Sequence, residues 1–122
     1  RRSEEPVTDP NCLFCKIVAG EIPSDNVHED EHVYAFNDIN PQAPVHHLVI
    51  PKRHIASADD LTEAEGELLG RLFAVTGSLA AAAGLPDRGY RVVTNVGADG
   101  GQSVDHLHFH LLGGRAMRWP PG

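Results

Sequence analysis

Three histidines stand at alternate positions in Asp105-His106-Leu107-His108-Phe109-His110-Leu111-Leu112, with apolar residues in the gaps. Successive side chains of a β-strand point to opposite faces. His106, His108 and His110 would therefore share one face at intervals of about 6.6 Å, while Leu107, Phe109 and Leu111 fill a core. Imidazole serves as nucleophile, acid, base or metal ligand near neutral pH. From this strand alone, a catalytic row and a three-histidine metal site of the kind zinc hydrolases use are equally good readings.

Other residues could join such a row. The segment Asn95-Val96-Gly97-Ala98-Asp99-Gly100-Gly101-Gln102-Ser103 leads into it, and its glycines suit either an amide concavity for an anion or a flexible hairpin turn. It has neither the lysine of a Walker loop nor the spacing of the dinucleotide fingerprint. Asp38 enters a proline-bearing loop, where a carboxylate either accepts from two sugar hydroxyls or simply forms a turn. On spacing alone, His46 and His54 read as ordinary surface or core histidines. Cys12 and Cys15, the only cysteines, form a C-x-x-C open to three readings: half of a zinc site, a redox pair, or two buried thiols.

The elements that must position these residues follow from periodicity. Residues 13–19 predict a short helix stopped near Gly20, and residues 32–37 and 46–50 predict strands separated by Asn40-Pro41-Gln42-Ala43-Pro44. Residues 62–83 predict the long helix: Thr62 and Glu65 have capping-box spacing, and Leu68, Leu72, Val75, Leu79 and Ala82 make one stripe. A strand over 90–95, a glycine-rich loop over 97–101 and the histidine strand complete an α+β reading with a mostly antiparallel sheet. The 122 residues suit one domain, expected over 11–122 after a disordered polar tail over 1–10. A net charge of −7 with few basic clusters argues against nucleic acid as a partner. No apolar run is long enough to span a membrane, and a soluble, cytoplasmic protein is expected.

The strand His106 to Leu112 resembles the His-x-His-x-His-x-x signature of the histidine-triad (HIT) family. The resemblance extends to Asn37-Asp38-Ile39-Asn40-Pro41-Gln42-Ala43-Pro44, Leu48-Val49-Ile50-Pro51-Lys52-Arg53-His54-Ile55, Gly100-Gly101-Gln102-Ser103-Val104, Gly113-Gly114-Arg115 and Trp119-Pro120-Pro121-Gly122. It covers the chain from about residue 11 onward and is closest to the histidine-triad nucleotide-binding (HINT) branch. It implies a five-stranded antiparallel sheet with two helices, extended across a homodimer. It also implies hydrolysis of purine nucleoside phosphoramidates to AMP and an amine through a nucleotidyl-histidine, with no metal needed for the chemistry. By the same resemblance His108 would be the nucleophile, His110 with Gly101 and Ser103 would contact the phosphate, and the Ser103 hydroxyl would lie near the leaving nitrogen. His46 and His106 would orient His108, and Asp38 would hold the ribose. Leu13, Phe14, Ile17, Phe36, Asn37, Ile39 and Leu48 would line the base pocket, and Asn95 would sit near phosphate and sugar.

The sequence departs from the branch at Asn37 and His47, where a histidine and a bulky apolar residue are frequent, so base preference could differ. Cys12 and Cys15 are absent from many relatives. The broader superfamily has members whose C-x-x-C joins two histidines around a structural zinc, and by that resemblance the ligands here would be Cys12, Cys15, His54 and His106. The alternative functions are a dinucleoside polyphosphate hydrolase and a nucleotide-binding regulator with incidental hydrolysis.

Overall fold

The computed structural model describes residues 8–122. The tail reading over 1–7 therefore lies outside the described residues. At 9–12 the chain is held in a turn, with the Asp9 carboxylate accepting the Asn11 amide at 2.9 Å and the Asp9 carbonyl accepting that of Cys12 at 3.0 Å.

Five strands form one antiparallel sheet: β1 (Asn26–Glu29), β2 (Val33–Asn37), β3 (Val45–Pro51), β4 (Tyr90–Val93) and β5 (Phe109–Gly113), in the order β1-β2-β3-β5-β4. Alternation along the strands builds two cores. Val33, Ala35, Val49 and Phe109 face helix α2 (Gly66–Ala82), which buries Leu72 and Val75 against them. Tyr34, Phe36, Leu48 and Ile50 face the short helix α1 (Leu13–Val18), which buries Phe14 and Ile17. Burying side chains on both faces contributes most of the stability at roughly 25 cal/mol per Å² of apolar area.

Four sequence expectations need correcting. The polar first strand β1 has no apolar alternation to mark it, so periodicity does not reveal it. The capping box is present, with Glu65 accepting the Thr62 amide at 2.6 Å and Thr62 accepting that of Ala64 at 3.2 Å, but a 3₁₀ turn over Glu63–Glu65 precedes the α-helix proper. The strand expected over 90–95 stops at Val93. The loop over 97–101 is a single helical turn, α3 (Gly97–Gly100). Gln102 accepts from the Gly97 amide at 3.0 Å and donates to the Ala56 and Val104 carbonyls at 2.8 and 3.0 Å, so the segment is tied on both sides.

The Gly113-Gly114 pair after β5 is a packing requirement. A Cβ at Gly113 would lie 2.5 Å from Leu85 Cδ1, and Gly114 has φ +91° with a Cβ position 2.8 Å from Pro44.

Candidate functional site

The histidine row is only partly a strand. Regular pairing begins at Phe109, opposite Val49, whereas residues 106–108 approach the sheet without ladder bonds. The Leu107 amide bonds the Ile55 carbonyl at 2.6 Å, and the Thr94 hydroxyl donates to the His108 carbonyl at 2.9 Å. These contacts keep the row in place where the ladder is missing.

Which ring nitrogen carries the proton follows from each partner's chemistry. The His106 carbonyl can only accept, so His108 donates from Nδ1 at 2.6 Å, and its Nε2 carries a free lone pair. The Gln42 backbone N–H donates to His46 Nδ1 at 3.0 Å, so the His46 proton is on Nε2, which donates to His110 Nδ1 at 2.9 Å. His110 must then hold its own proton on Nε2, and that buried nitrogen has no partner among the described residues. A bare Nε2 and a free Nε2–H therefore sit on neighbouring rings whose centroids are 5.0 Å apart. One can attack a phosphorus atom, and the other can donate to a phosphoryl oxygen.

Burial keeps these rings neutral. Phe14 packs edge-on against His108 and His106, with centroids 5.1 and 5.8 Å away. Desolvation lowers the pKa of His108 and His46, and pushes His110 down to about 4 with help from its histidine neighbours. Asp38 opposes the effect at all three from its place beside His46, where a carboxylate oxygen lies 3.4 Å from Nε2. Its other oxygen accepts the Asn40 amide at 2.8 Å.

His106 faces elsewhere. Its Nε2 donates to the Pro51 carbonyl at 2.9 Å, leaving the Nδ1 lone pair toward Cys12 Sγ at 3.3 Å and Cys15 Sγ at 3.6 Å. His54 Nδ1 lies 3.4 Å from Cys15 Sγ. The four ligand atoms all fall within 4.8 Å of one another. A tetrahedral zinc with Zn–S near 2.3 Å and Zn–N near 2.0 Å separates its ligands by roughly 3.3–3.8 Å, so this set fits the ion. The Cys15 amide also donates to Cys12 Sγ at 3.3 Å, which suits a thiolate. Without an ion, burial raises the Cys15 thiol to about 11.

Asp38, His46 and His110 also cluster. Their 2.9 Å imidazole–imidazole separation is that of one shared proton and shorter than two nitrogens on a tetrahedral zinc require. The three histidines of the row do not converge on a common point, so a three-histidine metal site is not what the row builds.

The remaining expected residues divide. Phe14, Ile17, Phe36 and Leu48 are buried together on the α1 face, with Leu13 at its exposed edge. Asn95 is half-buried in the wall of a cavity beside His46 and His110. Gly101 caps α3 with φ +78°, and Ser103 is exposed. Ile39 is 99% exposed and stands apart from that buried cluster. Asn37 alternates with Phe36 onto the opposite face and donates to Asp25 at 2.7 Å, so the structure does not bring it to the histidines. His54 and His46, ordinary on spacing, each belong to a cluster. The Gln42 amide and the Pro51 and His106 carbonyls, which set the tautomers, are backbone groups without a residue signature.

Residues 19–117 match the HIT domain family. A HIT family hydrolase from Legionella pneumophila superimposes with a TM-score of 0.90 at 55% identity, covering 92% of this chain and all of that one. A 14 kDa zinc-binding protein of Zea mays is 53% identical over 119 residues, 93% of this chain and 90% of its own length. A histidine triad nucleotide-binding protein from Candida albicans is 36% identical with a TM-score of 0.77, covering 90% of this chain and 83% of that one. The chain belongs to the HIT family.

Proposed function

We propose that this HIT family hydrolase cleaves the P–N bond of purine nucleoside 5′-phosphoramidates, releasing AMP and an amine. The observation that carries the reading is the proton arrangement: an unprotonated His108 Nε2 beside a His110 Nε2–H unpartnered among the described residues, with Phe14 packed edge-on against the His108 ring. The His108 lone pair forms a bond to the α-phosphorus as the P–N bond breaks. The amine leaves with the bonding electrons and takes up a proton. Water then attacks phosphorus, AMP departs, and the proton released with it restores the balance. The hydrogen bond to the His106 carbonyl keeps the Nδ1 proton in place throughout. His110 Nε2–H stabilises the charge on the phosphoryl oxygens, and His46 with Asp38 holds that ring in its donating tautomer.

The purine would lie at the exposed edge of Leu13, backed by the buried cluster of Phe14, Ile17, Phe36 and Leu48. Asp38, beside His46, would receive the ribose hydroxyls, and Gly101 and Ser103, which follow α3, would contact the phosphate. Cys12, Cys15, His54 and His106 are the residues that would hold a structural zinc, and the Zea mays relative's name agrees with that assignment. Zinc there would fasten α1 to the strand entry and leave His108 and His110 for the chemistry. Residues 11–122 act as one domain. Two copies pair into a homodimer through β4, an edge strand with Tyr90 exposed. Among the described residues no helix is long and apolar enough to cross a membrane.

Turnover of an adenosine 5′-phosphoramidate in excess EDTA, followed by mass spectrometry of the quenched enzyme, tests the reading. A nucleotidyl adduct on His108 and its absence in His108→Gly are expected. Faster cleavage of a diadenosine polyphosphate than of the phosphoramidate would overturn it.

A further inference from the structure

The backbone around His108 is held differently from the strand that follows it. Ladder pairing of β5 begins only at Phe109, so the peptide groups just before it find partners elsewhere. The His106 amide donates to the Val104 carbonyl at 2.9 Å and the Leu107 amide to the Ile55 carbonyl at 2.6 Å. The His106 carbonyl accepts from His108 Nδ1 at 2.6 Å, and the His108 carbonyl accepts from the Thr94 hydroxyl at 2.9 Å. Three of these bonds use backbone groups or the histidine row itself. The fourth comes from a side chain outside the row, so residue type at position 94 decides whether it exists.

Thr94 stands where the sheet gives out on the other side. β4 ends at Val93, which pairs with His110, and the chain then runs through Asn95 and Val96 into α3. One residue beyond the last ladder position, a hydroxyl supplies the donor that a longer β4 would have supplied from its backbone.

The consequence falls on His108 Nε2. The ring is tethered through Nδ1 to the His106 carbonyl, and Nε2 lies at the opposite end of the imidazole, so its position follows the backbone that carries the ring. The Leu107 amide anchors that backbone before His108, and the His108 carbonyl anchors the peptide after it. A misplacement of about 1 Å in a reacting group can cost on the order of 10²-fold in rate.

We propose that Thr94 is a positioning residue for His108, its hydroxyl fixing the peptide that follows the nucleophile and so aiming Nε2 at phosphorus. The proposal rests on the reading of His108 as nucleophile and adds to it a residue that neither the row nor the resemblance singles out. Thr94 touches no reacting atom in this scheme, so its loss acts on the chemical step and not on substrate binding. The anchors at His106 and Leu107 persist without it, and Thr94 is exposed, so water reaches the freed carbonyl and the loss is moderate.

The test compares Thr94→Val, which keeps the branched shape and removes the donor, with Thr94→Ser, which keeps the donor, on an adenosine 5′-phosphoramidate. Thr94→Val is expected to lower kcat by about ten-fold with KM within about two-fold of the wild type, and to slow formation of the His108 adduct in rapid-quench experiments by a similar factor. Thr94→Ser should retain most of both rates. At an exposed position either change should move Tm by no more than about 3 °C, which separates positioning from stability. A Thr94→Val enzyme as fast as the wild type, or a Thr94→Ser enzyme as slow as Thr94→Val, would overturn the inference and leave the phosphoramidase reading standing. So would a loss confined to KM, or one matched by unfolding at the assay temperature. A wild type that forms no adduct and cleaves nothing would overturn both.

Discussion

His106 and His110 are equivalent positions of one alternating row, yet they serve different clusters. His106 is fully buried, gives its Nε2–H to a carbonyl and turns the other nitrogen to two thiols. His110 accepts a hydrogen bond at Nδ1 from His46 and is left with an Nε2–H that no group among the described residues accepts. What separates a metal-suited imidazole from a phosphate-suited one is the neighbour that occupies one of its two nitrogens. His108, between them, takes its orientation from the His106 backbone and faces the His110 ring, so the proposed nucleophile sits at the boundary of the two regions.

The comparison breaks most visibly at that boundary. His108→Gly should reduce phosphoramidate turnover by at least about 10⁴-fold, as removal of a covalent nucleophile does in other hydrolases, while leaving zinc content unchanged. Metal analysis of the variant next to its kinetics checks both halves. A variant that lost zinc along with activity would show that the regions are not separable.

Cys12→Ser should have the converse signature. Losing one ligand of a closed Cys₂His₂ set is expected to lower Tm by on the order of 10 °C, with loss of zinc by elemental analysis. The phosphorylated nitrogen of His108 should be the same as in the wild type. Calorimetry and ³¹P NMR of the trapped intermediate report these separately, and an unchanged Tm would remove the structural role. On the other side, His46→Ala should lower kcat by about 10–100-fold, the usual cost of losing an orienting partner, and leave zinc untouched. A change confined to KM would mean that His46 serves binding and not the tautomer of His110.

The division between these regions was legible in the sequence only through resemblance. Alternation correctly gave the apolar backing of Leu107, Phe109 and Leu111, and capping chemistry gave the long helix, because both depend on residue type at short range. Spacing could not assign His46 or His54, since His46 meets its partner 64 residues away and His54 is brought to Cys15 by a turn after β3. Nor could it anticipate that the row would lose its ladder bonds before Phe109, or that the glycine loop would wind into α3 around Gln102. The tautomers depend on the carbonyls of Pro51 and His106 and on the amide of Gln42, groups every residue possesses.

The smallest expected effect is also the one that tests how dry the reacting region is. An imidazole with the ordinary pKa of 6.5 goes from about three-quarters neutral at pH 7 to about one-quarter neutral at pH 6, a roughly three-fold loss of nucleophile. Burial lowers the His108 pKa, so kcat/KM should fall less than three-fold over that interval. Stability should respond in the same pH range with a definite sign. His110 is pushed from 6.5 in the unfolded chain to about 4 in the folded one, so between those values the unfolded state binds more protons. Its contribution is intact above pH 6.5 and is lost as the pH falls toward 4. Urea titrations at pH 7 and pH 5 should therefore show a larger drop for the wild type than for His110→Asn, which has no proton to gain. Equal drops would mean that water reaches the ring and that its neutrality is not enforced by burial.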